Sequence, residues 1–331
     1  MIDVDAGDEN DRPSYFLVAV STKQNLEDCR EYCLAGFPET GNGAWTFADI
    51  DTGDYVSFLY GAKAHDLYRV VDKIAVSNAS EIGPWPALEF SSGKSHFPFR
   101  LELHRERKFK ESLVRSEFQY IAENLLLRGG YSRSHFQADR TTLQRVSQMG
   151  QRNKTDGKSG DWTTQETTAK WVRKQGGFKY PEQSRFVEYT LHALLRKHLA
   201  DEKIMSDFTE QTGFTELLDR NVEILGERAL PEGHVDLLIR DSEPVGRATN
   251  VPIEVKLNRC SEDDLEQLTG YIRQLEPECP GGVLLAETIP RDFETPNNVK
   301  VVRASFEGLD MGTQQQFQDM LDSLRLAPVE R

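Results

Sequence analysis

Within the run VPIEVKL, Glu254 and Lys256 stand two residues apart, so in an extended strand both side chains leave one face while Ile253, Val255 and Leu257 leave the other. A second apolar run, HVDLLIRD, is interrupted by the single carboxylate of Asp236. If the two strands are neighbours, two carboxylates and one ammonium converge. Such a set holds a hard divalent cation: Mg²⁺ takes oxygen ligands and keeps several waters, and the cation lowers the pKa of a water bound to it. The ammonium would orient the nucleophile or stabilise the charge that builds on a pentavalent phosphate. The chemistry is phosphodiester hydrolysis. Taken alone, the Glu254/Lys256 pair also describes a solvated strand face, and exposed strands carry this pattern often.

The elements that must position these residues are legible in outline. Glu188 belongs to SRFVEYTLHALLRKHL, whose apolar residues recur at helical spacing behind a Ser184 cap, and the helix precedes both strands. It can bring a third carboxylate to the same cation. After VPIEVKL comes DDLEQLTGYIRQL, a helix on which Gln267 and Tyr271 lie four apart and share one face. NVEILGER, GGVLLAE and VKVVRAS read as further strands, so residues 184–331 form an α/β unit. Upstream, YFLVAV, DYVSFLYG, LYRVVDKIAV and HFPFRLELH read as strands and NLEDCREYCLAG as a helix closing on Gly36. That pattern predicts an α+β, barrel-like unit over 14–149. Residues 150–183, rich in Gly, Lys, Thr and Gln, read as a linker with one short helix at AKWVRK. The acidic opening, residues 1–13, reads as a disordered tail. No internal repeat is present.

Composition sets the outer limits. The 331 residues are 38% hydrophobic and 28% charged, which is that of a soluble globular protein with room for two domains. No run reaches membrane length and no secretory segment opens the chain, so a cytoplasmic protein without a membrane partner is expected. Cys29, Cys33, Cys260 and Cys279 form no CxxC pair, which argues against a zinc knuckle or a disulfide framework. Cys29 and Cys33 are one turn apart in the predicted helix and read as buried thiols. A net charge of -14 excludes a uniformly basic nucleic-acid coat. The middle of the chain differs: residues 100–145 carry 10 Lys and Arg against 6 Asp and Glu, and residues 151–185 carry 8 against 4. A basic belt there can track a phosphate backbone, although ordinary surface variation produces the same counts.

The set Glu188, Asp236, Glu254 and Lys256, followed by Gln267-x-x-x-Tyr271, resembles the PD-(D/E)XK nuclease superfamily, in the branch with a Gln-x-x-x-Tyr helix shared by RecB-like nucleases. ILGERALPEGHVDLLIRD, VPIEVKL and EDDLEQLTGYI are together similar to the nuclease domain of NucS-type mismatch endonucleases, over Ser184 to about Phe306. The resemblance implies a restriction-endonuclease-like α/β fold in which Asp236, Glu254, Glu188 and the carbonyl of Val255 hold Mg²⁺ or Mn²⁺. It makes Lys256 the catalytic lysine, with Gln267 and Tyr271 placing that lysine or the DNA backbone. The segment SEPVGRATN departs from the pattern, being longer than a tight hairpin needs. His234 shares the face of Asp236 and reads as a structural or exposed histidine. Glu227 and Arg228 either bind phosphate or pair with each other.

The stretch from Tyr15 to about Val146 resembles the EVE branch of the PUA-like fold, a relative of YTH domains. The likeness is carried by a strand followed by Ser21, Asn25 and a helix, by the Gly53-Asp54 turn before YVSFLY, and by PWPALEF and HFPFRLEL. It implies a PUA-like β-barrel that holds a flipped, modified base between aromatic walls, with polar groups reading the base edge. Phe37, Trp45 and Trp85 would supply the walls; Ser21, Thr22 and Asn25 would read the edge. Joined to a nuclease, such a reader implies a modification-dependent DNA endonuclease, working as a homodimer because one site cuts one strand. Two alternatives stand beside it: a NucS-like mismatch or repair endonuclease, and a nucleic-acid-binding protein with an inactive nuclease fold.

Overall fold

The continuous apolar run YFLVA builds β1 (Tyr15–Ala19), and Thr22 then caps α1 (Lys23–Tyr32), its hydroxyl accepting the Asn25 N–H at 3.1 Å. This computed structural model describes residues 13–61, 63–90, 93–110, 134–173, 176–218, 220–230 and 233–329. The tail expected over 1–13 lies, but for Pro13, outside the described residues, as does much of the first basic stretch. The helix α1 stops before Gly36. Cys33 turns left-handed at φ 48°, and the residues expected to extend the helix form β2 (Leu34–Phe37) instead. The left-handed cap lets Cys33 close the helix through its N–H to the Cys29 carbonyl, while Ala35 and Phe37 enter the core.

After α2 (Gly41–Asp49) come β3 (Tyr55–Tyr60), β4 (Lys63–Val76), β5 (Leu88–Phe90), β6 (Gly93–Ser95), β7 (Phe99–Lys108), β8 (His135–Ala138) and α3 (Arg140–Ser147). The main sheet runs β2-β7-β4-β3-β1-β8. The expected barrel is not closed among the described residues: β2 and β8, four residues each, end the path without pairing to one another. Closure requires a last ladder in register. Here Gln137 of β8 instead sends its side chain to the Gly226 N–H, far along the chain, at 2.8 Å.

Residues 150–183 are no free tether. β9 (Gln151–Thr155) pairs with β7, β10 (Glu166–Thr167) with β4, and β11 (Trp171–Val172) with β12 (Ser184–Arg185). Trp171 and Val172 are therefore extended where a short helix over AKWVRK is predicted, because the Trp171 indole is buried and meets Phe317 edge-on at 5.7 Å. Burial of one large ring outweighs the weak helical propensity of six residues.

The second sheet follows α4 (Glu188–Ala200) and α5 (Glu202–Thr212). It comprises β13 (Val222–Leu230), β14 (Gly233–Asp241), β15 (Asn250–Arg259), β16 (Gly282–Thr288), β17 (Val299–Phe306) and β18 (Leu324–Pro328), in that spatial order, with α6 (Glu262–Leu275) between β15 and β16 and α7 (Phe317–Ser323) before β18. The first three strands are antiparallel, β15 to β17 parallel, and β18 antiparallel again. Parallel neighbours need a crossover, which α6 provides between β15 and β16, and β16 is apolar on both faces, with Val283 and Leu285 buried on one and Leu284 and Ala286 on the other. This is the mixed α/β arrangement expected of the second half.

One apolar core runs through both sheets, from Phe16 and Phe58 through Ala44 and Phe47 to Leu191 and Leu285. Across it, Arg196 of α4 donates to Asp49 of α2 at 2.8 Å, and Lys197 reaches Asp51. Among the described residues no helix is long and apolar enough to cross a membrane. Inside the first half, Trp85 lies flat against Gly36, where an added Cβ would come within 2.3 Å of the indole. Gly36→Ala should therefore cost about 1–3 kcal/mol by forcing the ring aside. Urea denaturation would read this as a lower midpoint at constant slope.

Candidate active site

The pairing of β14 with β15 runs as far as Leu237↔Ile253. One residue further, the same register would set Asp236 opposite Glu254, but the Asp236 carboxylate itself accepts the Val255 N–H at 2.8 Å. The strands open here, and side-chain chemistry occupies the gap. Glu254 is fully buried, and Lys256 Nζ stands 2.8 Å from its Oε1, 3.6 Å from Asp264 and 3.8 Å from Glu188. Glu188 also takes the Leu257 N–H at 3.2 Å, which ties the start of α4 to β15. On α6 the one-turn pair acts as a strut: Gln267 donates to the Tyr271 hydroxyl at 2.7 Å and reaches Glu254 at 3.4 Å, and Tyr271 donates to the His234 carbonyl at 2.8 Å. All six residues expected at a nuclease centre are thus brought together. Asp264, the carboxylate of the α6 capping box, joins them.

The structure adds two residues on the other flank of Asp236. His192, one helical turn beyond Glu188, is buried, with Nδ1 2.9 Å from Glu227 and Nε2 3.8 Å from Asp236. Glu227 reaches it by adopting φ 55° in the middle of β13, between the ladder pairs Gly226↔Leu237 and Arg228↔Val235. A left-handed non-glycine residue costs roughly 1–2 kcal/mol, so other contacts must hold it there. The Glu188-x-x-x-His192 spacing is visible in the sequence as one helix face; the turn at Glu227 is not. Glu227 therefore has His192 as a partner, where pairing with Arg228 or binding phosphate is predicted.

His192, Glu227 and Asp236 each present a ligand atom within 4.8 Å of the others. The set fits a divalent cation on its own chemistry: among the described residues, the buried His192 Nε2 has no hydrogen-bond partner, and the buried Glu254 Oε1 is met by the Lys256 ammonium at 2.8 Å. Both are donor atoms a metal takes, and the imidazole makes ions softer than Mg²⁺ competent as well. Burial, and then the neighbouring Asp236 charge, pushes the Glu254 carboxyl well above the usual carboxylate range; burial, with Glu227 beside it, raises Asp236 as well. For His192 burial pulls downward, but Asp236 and Glu227 outweigh it and raise the imidazole to about 9. Lys256 is likewise held above its usual range, the Glu254 contact overcoming burial.

The raised Glu254 and His192 hold protons that a cation bound there would displace. Affinity for Mn²⁺ should rise as pH rises from 6 to 9, because fewer protons then compete for Glu254 and His192, by about tenfold per pH unit for each proton released. Calorimetric titration in two buffers of different ionisation enthalpy would count those protons; a pH-independent affinity would contradict the assignment.

The residues expected to read a base lie elsewhere. Phe37 and Trp45 are core rings, 2% and 3% exposed, and Trp85 is buried over Gly36 beside Phe97 and Arg100. They do not stand as walls of an open pocket. Trp45 instead stacks on Tyr189 of α4 at 4.8 Å and packs on His135 at 4.4 Å. The reason is area: buried aromatic rings contribute most where both faces are covered. Thr22 is committed to capping α1 and Asn25 is nearly buried, while Ser21 is exposed.

No family model matches the chain, and no curated protein matches it. Among solved structures it is similar to one described as the EndoMS–dsDNA2 complex, with 24% identity over 26% of this chain and 36% of that one and a TM-score of 0.18. A repair endonuclease from Pyrococcus abyssi is similar at 16% identity over 26% of this chain and 38% of that one, with a TM-score of 0.19. The YTH domain of Mmi1 is similar at 14% identity over 42% of this chain and 91% of that one, with a TM-score of 0.29. The chain spans little more than a third of the two endonucleases it resembles.

Proposed function

We propose that the chain is a metal-dependent DNA endonuclease whose active site lies at the open end of β14 and β15. The observation that carries this reading is a fully buried Glu254 held between Asp236 and Lys256, with the Gln267–Tyr271 strut behind it. A buried carboxylate is costly unless something binds it, and here the Lys256 ammonium at 2.8 Å only partly offsets the burial of Glu254 beside a second carboxylate. Asp236, Glu254 and the Val255 carbonyl would hold the cation, with His192 and Glu227 on its far side and Glu188 at the rim. When bound, the cation supplies an acidified water and a counter-charge for the phosphate. Lys256, raised in pKa, remains an ammonium at neutral pH and serves as an electrostatic stabiliser of the transition state rather than a general base.

In the finer reading, residues 14–149 recognise a modified base, residues 184–331 cut, and two copies meet on DNA to break both strands. A specific observation favours the second reading, a mismatch or repair endonuclease: Phe37, Trp45 and Trp85 are occupied with packing. Digestion of otherwise identical duplexes that carry modified cytosine, modified adenine, a mismatch or none of these, with Mg²⁺ or Mn²⁺, separates the two. Cleavage confined to modified DNA supports the first reading and cleavage confined to the mismatch the second. Binding without cleavage under all conditions would overturn the nuclease assignment.

A further inference from the structure

We propose that Gln137, on the first sheet, is a positioning residue for the metal-holding group of the second: it anchors the backbone at Gly226 so that the next residue, Glu227, points at His192 and Asp236. The inference rests on reading His192, Glu227 and Asp236 as that group.

β13 is the edge strand of its sheet, laddered to β14 alone. At its middle, Glu227 is left-handed and drops out of the ladder, although Gly226↔Leu237 and Arg228↔Val235 persist on either side. A single twisted residue in an edge strand reverts readily to extended geometry, which would send its side chain away from the site. What opposes this is the free edge of Gly226, whose N–H is taken by Gln137 Oε1 at 2.8 Å. No ladder partner supplies that bond. It comes from a residue 89 positions earlier in the chain.

The other half of the group is located from the same side. His192 lies on α4 between two anchor points to the first sheet's helix α2: Tyr189, stacked on Trp45, precedes it by three residues, and Arg196, bonded to Asp49, follows it by four. Tyr189 also meets His192 edge-on, ring centres 5.6 Å apart. Trp45, His135, Gln137, His192, Gly226 and Glu227 line one small cavity between the two sheets. Contacts with the first sheet thus bear on both members of the His192–Glu227 pair.

The test uses the full chain and Mn²⁺ alone as probe, titrated calorimetrically or by its electron-spin signal. Gln137→Met keeps the volume and removes the acceptor; it should weaken Mn²⁺ binding about tenfold. Gln137→Glu retains an acceptor and should stay within about threefold of the unaltered chain. Cleavage by Gln137→Met should recover at saturating Mn²⁺ while its circular dichroism stays the same at every Mn²⁺ concentration; a general loss of stability would instead make the folded fraction follow Mn²⁺. Should Gln137→Met fail to fold, Gln137→Asn, too short to reach Gly226, carries the same expectation. Equal Mn²⁺ affinity in the acceptor-lacking variants and the unaltered chain would overturn the positioning role. Failure of the underlying reading looks different: Asp236→Ala would then leave Mn²⁺ binding unaltered, whatever Gln137 does.

Discussion

Lys256→Ala should cut DNA at least about a thousandfold more slowly than the unaltered chain while binding the same duplex with nearly unchanged affinity. The expectation follows from where the ammonium sits. It touches Glu254 at 2.8 Å and lies within 4 Å of Glu188 and Asp264, so under the proposed reading its charge acts at the carboxylate cluster and would add little to contacts with the rest of a duplex. Its removal also leaves Glu254 buried beside Asp236 with no positive neighbour on β15, and the Glu254 carboxyl should hold its proton to still higher pH. Metal loading of the variant should consequently need a higher pH than that of the unaltered chain. Single-turnover cleavage and fluorescence anisotropy on one labelled duplex separate the two effects. Cleavage within tenfold of normal would remove Lys256 from the mechanism.

Asp49→Ala is expected to lower the stability of the whole chain by about 3–5 kcal/mol. Asp49 is a buried carboxylate whose oxygens take Arg196 at 2.8 Å and His135 at 2.8 Å, and both partners are themselves buried. Burial alone would raise its pKa, but the guanidinium of Arg196 and then His135 outweigh it and hold the group well below the usual carboxylate range. A depressed carboxylate stabilises the fold above its unfolded pKa of about 3.8, and that contribution is lost only as pH falls below it toward the folded value. The effect of Asp49→Ala should accordingly be full at pH 7 and shrink in strong acid. Urea unfolding at both pH values checks it. If the loss at pH 7 were under about 1 kcal/mol, solvent would have to reach Arg196 once the carboxylate is gone. Replacing the pair together, Asp49→Leu with Arg196→Met, should restore much of the loss, because no unpaired charge remains. The same contact predicts a single unfolding transition for both sheets, where a chain of two tethered units would show two.

What the sequence discloses about this protein is what depends on local spacing. Glu254 and Lys256 share a face because strands alternate, and Gln267 and Tyr271 share one because four residues make about a turn; neither statement needs tertiary information. The placement of Asp236 against β15 needs only that consecutive strands pair, which they commonly do. His192 and Glu227 required more. One is a histidine on an apolar helix, and the other becomes a neighbour only through a left-handed turn that no residue type at position 227 announces. The polar segment 150–183 conceals its strands for a related reason. β10 and β11 are two residues long, too short to show a period, and are fixed by partners far from them in the chain, such as Val76 and Gln315. The aromatic residues illustrate the opposite error. Phe37, Trp45 and Trp85 have the composition of a stacking pocket, and composition does not distinguish a ring that faces a cavity from one that fills the core.

Synthesis of the chain on the ribosome meets an obstacle in its first strand. β1 pairs with β3 on one side, but its other edge is covered only by β8, Tyr15 facing Ala138, and Ser14 receives a hydrogen bond from Arg196, 182 residues later. Until β8 has emerged, an apolar strand with an open edge waits for its partner. Contacts of such sequence separation slow folding, and unpaired strand edges are where nascent chains associate with one another. Refolding from denaturant should therefore be slow and sensitive to protein concentration, and the yield of native protein in cells should respond to the supply of chaperones that shield unpaired strands.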